Sequence, residues 1–336
     1  MNPIRQLASA AAIAAAFVTG AATAAEPGVE PTTARFLKAL EGGAPLESLT
    51  PAAARQVLVG AQANAKLRAA DVSVKTIELD GKPVKLHIVR PAGVKGTLPA
   101  FMFFHGGGWV LGDFPTHERL VRDLVVNSGA VAVFVDYTPS PEAKYGTAIG
   151  QAYGATKWVA AHGREIGVDG SRLAVAGNSV GGNMAAVVAL MAKEQGQPTL
   201  RAQVLLWPVT DASFDTPSYN QYAEGYFLTK GMMRWFWDNY TTDAAARREI
   251  HASPLQAGTA QLQGLPPALI QTAEFDVLRD EGEAYGRKLA AAGVDTTTVR
   301  YGGMIHDYGL LNALSEVPAV RTALRQAGDE LKHRLK

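Results

Sequence analysis

Short apolar runs bounded by Gly, Pro or Asp recur along the chain, at residues 84–89, 100–104, 130–135, 173–176, 202–206 and 268–271. All but the first are nearly continuous, the pattern of strands buried on both faces of a parallel sheet. Stretches of helical character lie between several of them, at 117–127, 147–162, 180–194 and 281–292. That alternation predicts an α/β sheet with helices on both faces. Near the start, residues 74–79 and 84–90 flank Asp80-Gly81, a hairpin signal, so the sheet is expected to begin antiparallel.

Two segments break the rhythm. Residues 31–70 read as helical, with Thr50 as a cap and Pro51 at the first helical position. Residues 211–251 carry Tyr219, Tyr222, Tyr226, Phe227, Trp235, Phe236, Trp237 and Tyr240. Most of these aromatics read as a second core packed on the body. The segment as a whole reads as a cap that lines an acyl pocket, with Trp109, Tyr222 and Phe227 as candidate substrate contacts.

The first residues read as an address. Arg5 is the only charge before Glu26, residues 7–18 form an alanine-rich apolar stretch, and Ala22-Thr23-Ala24-Ala25 offers small residues to a signal peptidase. The stretch is too short to span a bilayer and is broken by Thr19-Gly20, which weighs against a retained anchor. Residues 1–25 are therefore expected to be a signal peptide cleaved near Ala24 or Ala25. The remaining residues, 26–336, would form one catalytic domain with cap segments at about 26–72 and 211–251, exported to the periplasm or secreted.

Loss of residues 1–25 would remove one arginine from the 32 basic side chains and leave 31 acidic ones, a formally neutral chain. No basic stripe suggests nucleic acid, and no polybasic segment suggests an anionic membrane surface. No integral membrane segment is expected in the mature chain. With no cysteine, disulfides, thiolate metal sites and a cysteine nucleophile are excluded.

The chemistry centres on Gly177-Asn178-Ser179-Val180-Gly181, between an apolar run and a helical one. Gly-x-Ser-x-Gly in a strand–turn–helix setting is a serine-hydrolase nucleophile elbow, with the serine at a strained apex. The five residues alone are weak evidence, so a base, an acid and an oxyanion hole must be found elsewhere. A serine hydroxyl needs an imidazole to take its proton, and the imidazole needs an acid to fix its tautomer. On the α/β-hydrolase scaffold these follow in the order Ser, Asp or Glu, His. Of the three histidines after Ser179, His251 precedes the acid candidates and His333 sits in a charged terminal helix. His306 remains, in a glycine-flanked loop after the predicted strand 297–301.

Glu274, Asp276 and Asp280 compete for the acid, beyond the strand that begins at Ala268. Asp280 and Glu281 read as N-terminal charges of the following helix. Asp276 lies in the turn itself and is preferred to Glu274. The glycine run His105-Gly106-Gly107-Gly108-Trp109, directly after the strand 100–104, lets backbone N–H groups face a developing negative charge. No Gly-Lys-Ser/Thr or Gly-x-Gly-x-x-Gly pattern follows, which weighs against a phosphate loop. His105 is expected to hold the loop in place.

This ordered set resembles the hormone-sensitive-lipase-like (family IV) carboxylesterases from about residue 75 to the C-terminus. The resemblance is carried by His105 to Trp109, the elbow, Asp276-Val277-Leu278-Arg279-Asp280-Glu281-Gly282 and His306. It implies an α/β-hydrolase fold with a mostly parallel eight-stranded sheet flanked by helices and a mostly helical cap. It also implies a triad of Ser179, Asp276 and His306, with oxyanion donors from the backbones of Gly107, Gly108 and Val180. Some positions depart from the family pattern. Asn178 and Val180 stand where Asp and Ala are usual, Val277 replaces a proline, and 138–140 read Thr-Pro-Ser before Pro141-Glu142. Asp307 replaces a glycine, and Tyr308 stands where Phe is common.

The expected activity is cofactor-free and metal-free hydrolysis of small carboxylic esters, with short to medium acyl chains, through an acyl-enzyme. An amidase or lactonase could run on the same triad. A non-catalytic binding protein on this scaffold would be expected to have lost a triad member. The partner is a small-molecule ester, and a monomer and a dimer are both compatible with the sequence.

Overall fold

A computed structural model describes residues 28–336. The signal peptide expected at 1–25 lies outside these residues. Eight strands form a single sheet: β1 (Ala70–Leu79), β2 (Lys82–Pro91), β3 (Leu98–Phe104), β4 (Val131–Asp136), β5 (Val168–Asn178), β6 (Gln203–Leu206), β7 (Ala268–Phe275) and β8 (Thr296–Ile305). Their order is β1-β2-β4-β3-β5-β6-β7-β8. β2 runs antiparallel to both its neighbours, and from β4 through β8 every pairing is parallel. The antiparallel start follows from Asp80 and Gly81, both at positive φ (50° and 73°), which close a two-residue hairpin matched to strand twist.

Ten helices accompany the strands among the described residues: α1 (Pro31–Leu40), α2 (Pro51–Ala61), α3 (Phe114–Ser128), α4 (Tyr145–His162), α5 (Val180–Glu194), α6 (Pro217–Gln221), α7 (Lys230–Tyr240), α8 (Thr259–Leu262), α9 (Arg279–Ala291) and α10 (Pro318–Arg334). α3 packs against α10, and α4 packs against α5. The Thr50 hydroxyl accepts from the Ala53 N–H with Pro51 inside the first turn, as the sequence indicated.

Three strands extend beyond the apolar runs that revealed them. β5 continues to Asn178, paired with Leu206; β7 continues to Phe275; and β8 reaches Ile305, which pairs with Phe275. Apolar content marked only the strand centres, whereas the ladder carries glycines and polar residues to the edge of the sheet. These extensions place residues 179, 276 and 306 just past the C-terminal ends of three parallel strands on the same side of the sheet, where open α/β sheets bind ligands.

The two interrupting segments meet. The Phe36 ring of α1 packs against Phe227 at a centroid distance of 5.8 Å. Gly231 of α7 lies so close to Glu47 that a Cβ would sit 2.5 Å from its Oε1. Arg55 of α2 then fastens the N-terminal segment to the body. Its Nε donates to the Val110 carbonyl at 2.7 Å, and its terminal nitrogens pair with Glu142 and the Ser140 carbonyl. The Arg55 hydrogen bonds hold the Glu142 carboxyl down at about 2.

Gly181, in the first turn of α5, packs directly on the end of β3, and a Cβ there would lie 1.9 Å from the Phe104 carbonyl oxygen. Gly181→Ala should therefore destabilise the fold by about 1–3 kcal/mol or more. Thermal denaturation checks this: the variant should melt several degrees below the wild type, and an unchanged melting temperature would contradict the packing described.

Candidate active site

Ser179 joins β5 to α5 with φ 55° and ψ −122°, a conformation L-residues seldom adopt. Its flanking glycines are needed for space. A Cβ on Gly177 would lie 2.2 Å from the Gly181 carbonyl oxygen. The turn is pinned by the Ser179 N–H donating to the Leu206 carbonyl at 2.9 Å, while the Ser179 carbonyl accepts from Asn183 and Val209.

His306, at the end of β8, brings its Nε2 to 2.9 Å from Ser179 Oγ and its Nδ1 to 2.7 Å from Asp276 Oδ2. The ionised carboxylate can only accept, so Nδ1 carries the proton and Nε2 is left to accept from the serine hydroxyl. The other Asp276 oxygen accepts from the Leu278 N–H at 2.9 Å, which fixes the carboxylate in the turn. All three side chains are buried: Ser179 is 4% exposed, His306 2% and Asp276 1%. Burial pushes the His306 imidazole down, but Asp276 and Asp307 together outweigh it and leave it above its ordinary value.

The competing acids are placed elsewhere. Glu274 spends its Oε2 on the Gly303 N–H at 2.8 Å and tethers β7 to β8. Asp280 accepts from the Ser218 N–H and from Arg279, joining α6 to α9. Glu281 stands with Asp280 in the first turn of α9, as the sequence indicated, but it does not face solvent. It is buried, its Oε1 accepts from the Thr210 and Asp211 N–H groups, and burial raises its carboxyl well above the usual range. The chain after β6 folds down over the first turn of α9 and takes this side chain inside.

The glycine loop lies against the elbow. Gly106 donates its N–H to Asn178 Oδ1 at 3.0 Å, and Gly107 and Gly108 adopt φ of 97° and 63°. Among the described residues, the N–H groups of Gly107, Gly108 and Val180 are spent on no other acceptor. His105 holds the loop from behind: its ring stacks on Tyr137 at 4.2 Å, and its Nδ1 lies 2.9 Å from the Gly106 carbonyl oxygen. Burial lowers its pKa, consistent with a neutral structural imidazole.

Of the three candidate substrate contacts, Trp109 is wholly buried and stacks on Tyr240 at 4.0 Å with an edge contact to Trp237. The Tyr222 hydroxyl accepts from Arg279 at 2.9 Å, and Phe227 packs on Phe36. The sequence reading did not single out Phe236, whose ring covers Gly108 so closely that a Cβ there would lie 2.0 Å from it. The inward positions of α7, Met232, Met233, Phe236, Trp237 and Tyr240, follow helical spacing and were the available signal.

A family model described as alpha/beta hydrolase fold matches residues 101–310. Carboxylesterase NlhH of Mycobacterium tuberculosis is 36% identical over 266 residues, which cover 79% of this chain and 83% of that protein. Ethyl acetate hydrolase of Pseudomonas putida is 32% identical over 303 residues, covering 86% of this chain and 94% of that protein. The crystal structure of a thermostable esterase from Pseudomonas putida is 71% identical, with a TM-score of 0.91 over 93% of this chain and 99% of that one. The chain belongs to the alpha/beta-hydrolase fold family, in its hormone-sensitive-lipase-like branch, and is a carboxylic ester hydrolase.

Proposed function

We propose that Ser179 is the nucleophile, His306 the general base and acid, and Asp276 the residue that orients the imidazole, in hydrolysis of small esters. The carrying observation is the buried chain of hydrogen bonds from Ser179 Oγ through His306 to Asp276. Ser179 attacks the acyl carbon as its proton passes to Nε2, and the imidazolium is stabilised by the carboxylate at Nδ1. Negative charge gathers on the carbonyl oxygen, within reach of the unspent N–H groups of Gly107, Gly108 and Val180. His306 then protonates the leaving alcohol. A water, deprotonated by the same imidazole, attacks the acyl-enzyme and releases the acid and Ser179.

The segments 26–72 and 211–251 act as the cap. Phe236 bounds the space above the glycine loop, Trp109 packs beside it against Tyr240 and Trp237, and Tyr222 and Phe227 line the cap through Phe275 and Phe36. The tight cover over Gly108 favours short to medium acyl chains, and the name of the Pseudomonas putida relative, ethyl acetate hydrolase, points the same way. The apolar leader and its small-residue end support export to the periplasm or beyond.

On a series of p-nitrophenyl esters, kcat/KM should be highest for acetate to hexanoate and should drop for laurate. Ser179→Ala should lose about 10⁵- to 10⁶-fold in kcat while keeping its circular-dichroism spectrum. Near-wild-type turnover by the purified variant would sink the assignment. Because His306 must be neutral to act as base, activity should fall on acidification, with a midpoint above the ordinary histidine value of 6.5. A rate that stayed flat below that value would exclude His306 as the base. N-terminal sequencing of the exported protein should begin at or next to Glu26, and a mature chain that retains Met1 would refute cleavage.

A further inference from the structure

Two positions that set this chain apart from its family pattern, Asn178 and Asp307, touch in the structure. Asn178 Nδ2 donates to Asp307 Oδ1 at 3.0 Å, and the same oxygen accepts from Trp207 Nε1 at 2.6 Å. The other Asp307 oxygen stands 3.9 Å from His306 Nε2, on the side of the ring that faces Ser179. We propose that Asp307 is a positioning residue: its carboxylate orients the Asn178 amide toward the glycine loop and places a second negative charge beside His306. This inference rests on the triad reading above.

The network admits one arrangement. The Gly106 N–H can only donate, so the amide oxygen of Asn178 must face it. That leaves Nδ2 pointing at Asp307, which must therefore accept. With two donors on it, that oxygen acts purely as an acceptor. The contact is tight, since a Cβ on Gly106 would lie 2.5 Å from Asn178 Nδ2. Asp307 itself is buried and held at φ 57°. A chain of hydrogen bonds thus runs from Trp207, after β6, through Asp307 and Asn178 to the loop that carries the oxyanion donors.

The second oxygen of Asp307 is too far from His306 for a hydrogen bond and acts through space. When Ser179 gives its proton to Nε2, the imidazolium stands between Asp276 at Nδ1 and Asp307 beyond Nε2. Other ionisable groups at this end are Glu281 on α9, Tyr219 on α6 and Tyr308 next to Asp307, which lie near Asp276, and His105 behind the glycine loop. Glu274 on β7 is engaged by Gly303. Burial and nearby carboxylates push Glu281, Tyr219 and Tyr308 toward their neutral forms, while Asp276 and Asp307 are the carboxylates that raise His306.

Asp307→Asn removes the charge and keeps the shape, because its amide oxygen can still accept from Trp207 and Asn178. With p-nitrophenyl acetate, its acid limb of kcat/KM should move to lower pH, with plateau kcat reduced on the order of tenfold or less and KM little changed. Asn178→Asp alone sets two carboxylates face to face and should lower the melting temperature. In the double variant N178D/D307N the facing carboxylates are gone, so the melting temperature should recover part of the loss. It should not recover all of it, because the 307 amide cannot both donate to residue 178 and accept from Trp207 at one position. An unmoved acid limb in folded D307N would overturn the proposal, as would a double variant no more stable than N178D. Either result leaves the triad standing, whereas an active Ser179→Ala would remove the triad itself.

Discussion

The catalytic end of this molecule depends on one close approach, the packing of the first turn of α5 against the end of β3. Gly181 sits where a Cβ would lie 1.9 Å from the Phe104 carbonyl oxygen, and Gly177 is crowded by Gly181 in turn. With both positions stripped of side chains, the backbone at Ser179 is driven into its positive φ and Oγ is lifted out of the sheet. The same approach brings residues 105–108 alongside the elbow, because they continue β3. The elbow serine and the glycine loop are therefore set by one packing event. Their relative placement is as rigid as the parallel pairing of β3 with β5.

Burial then decides how the acidic groups at this end divide their tasks. Asp276 is enclosed yet has a hydrogen-bond donor for each oxygen, from Leu278 and His306. Glu281 is also enclosed, but only one of its oxygens has donors; the other finds none. Desolvation therefore dominates at Glu281 and favours the neutral acid, which straps the chain after β6 to α9. Two buried carboxyl groups a few residues apart, in the same motif, thus meet different surroundings. The difference lies in how many donors reach each one.

Much of this was legible in the sequence because it rests on local chemistry. The elbow, the glycine run and a late loop histidine each need particular residues at fixed places, and each lies where the strand–helix alternation puts it. Choosing Asp276 over Glu274 depended on which carboxylate sits in the turn rather than on the strand, and the structure places Glu274 on β7. The strand ends were less legible, because β5, β7 and β8 run on through Gly, Asn, Thr and Glu that no apolar count includes. The burial of Glu281 and the cover by Phe236 were hidden for a different reason. Both are contacts between segments distant in sequence: the helical spacing of α7 marks Phe236 as inward-facing but not what it covers.

The N-terminal helical segment and the glycine loop are mechanically joined through Arg55. Its guanidinium, carried on α2, holds the Val110 carbonyl, and Val110 and Leu111 both donate back to the Gly107 carbonyl in the turn that shapes the oxyanion loop. The Ser140 carbonyl is held by the same side chain, while the Ser140 N–H donates to Trp109. On the opposite side of the loop, Trp109 is clamped by Tyr240 and Trp237 of α7, and Phe236 lies over Gly108. The glycines that give the loop its freedom to point N–H groups inward also deprive it of side chains to anchor itself. Anchorage must come from outside, and both interrupting segments supply it. A displacement of either segment would therefore reach the glycine loop directly, so that in the proposed mechanism cover over the substrate and stabilisation of its transition state are a single structural property.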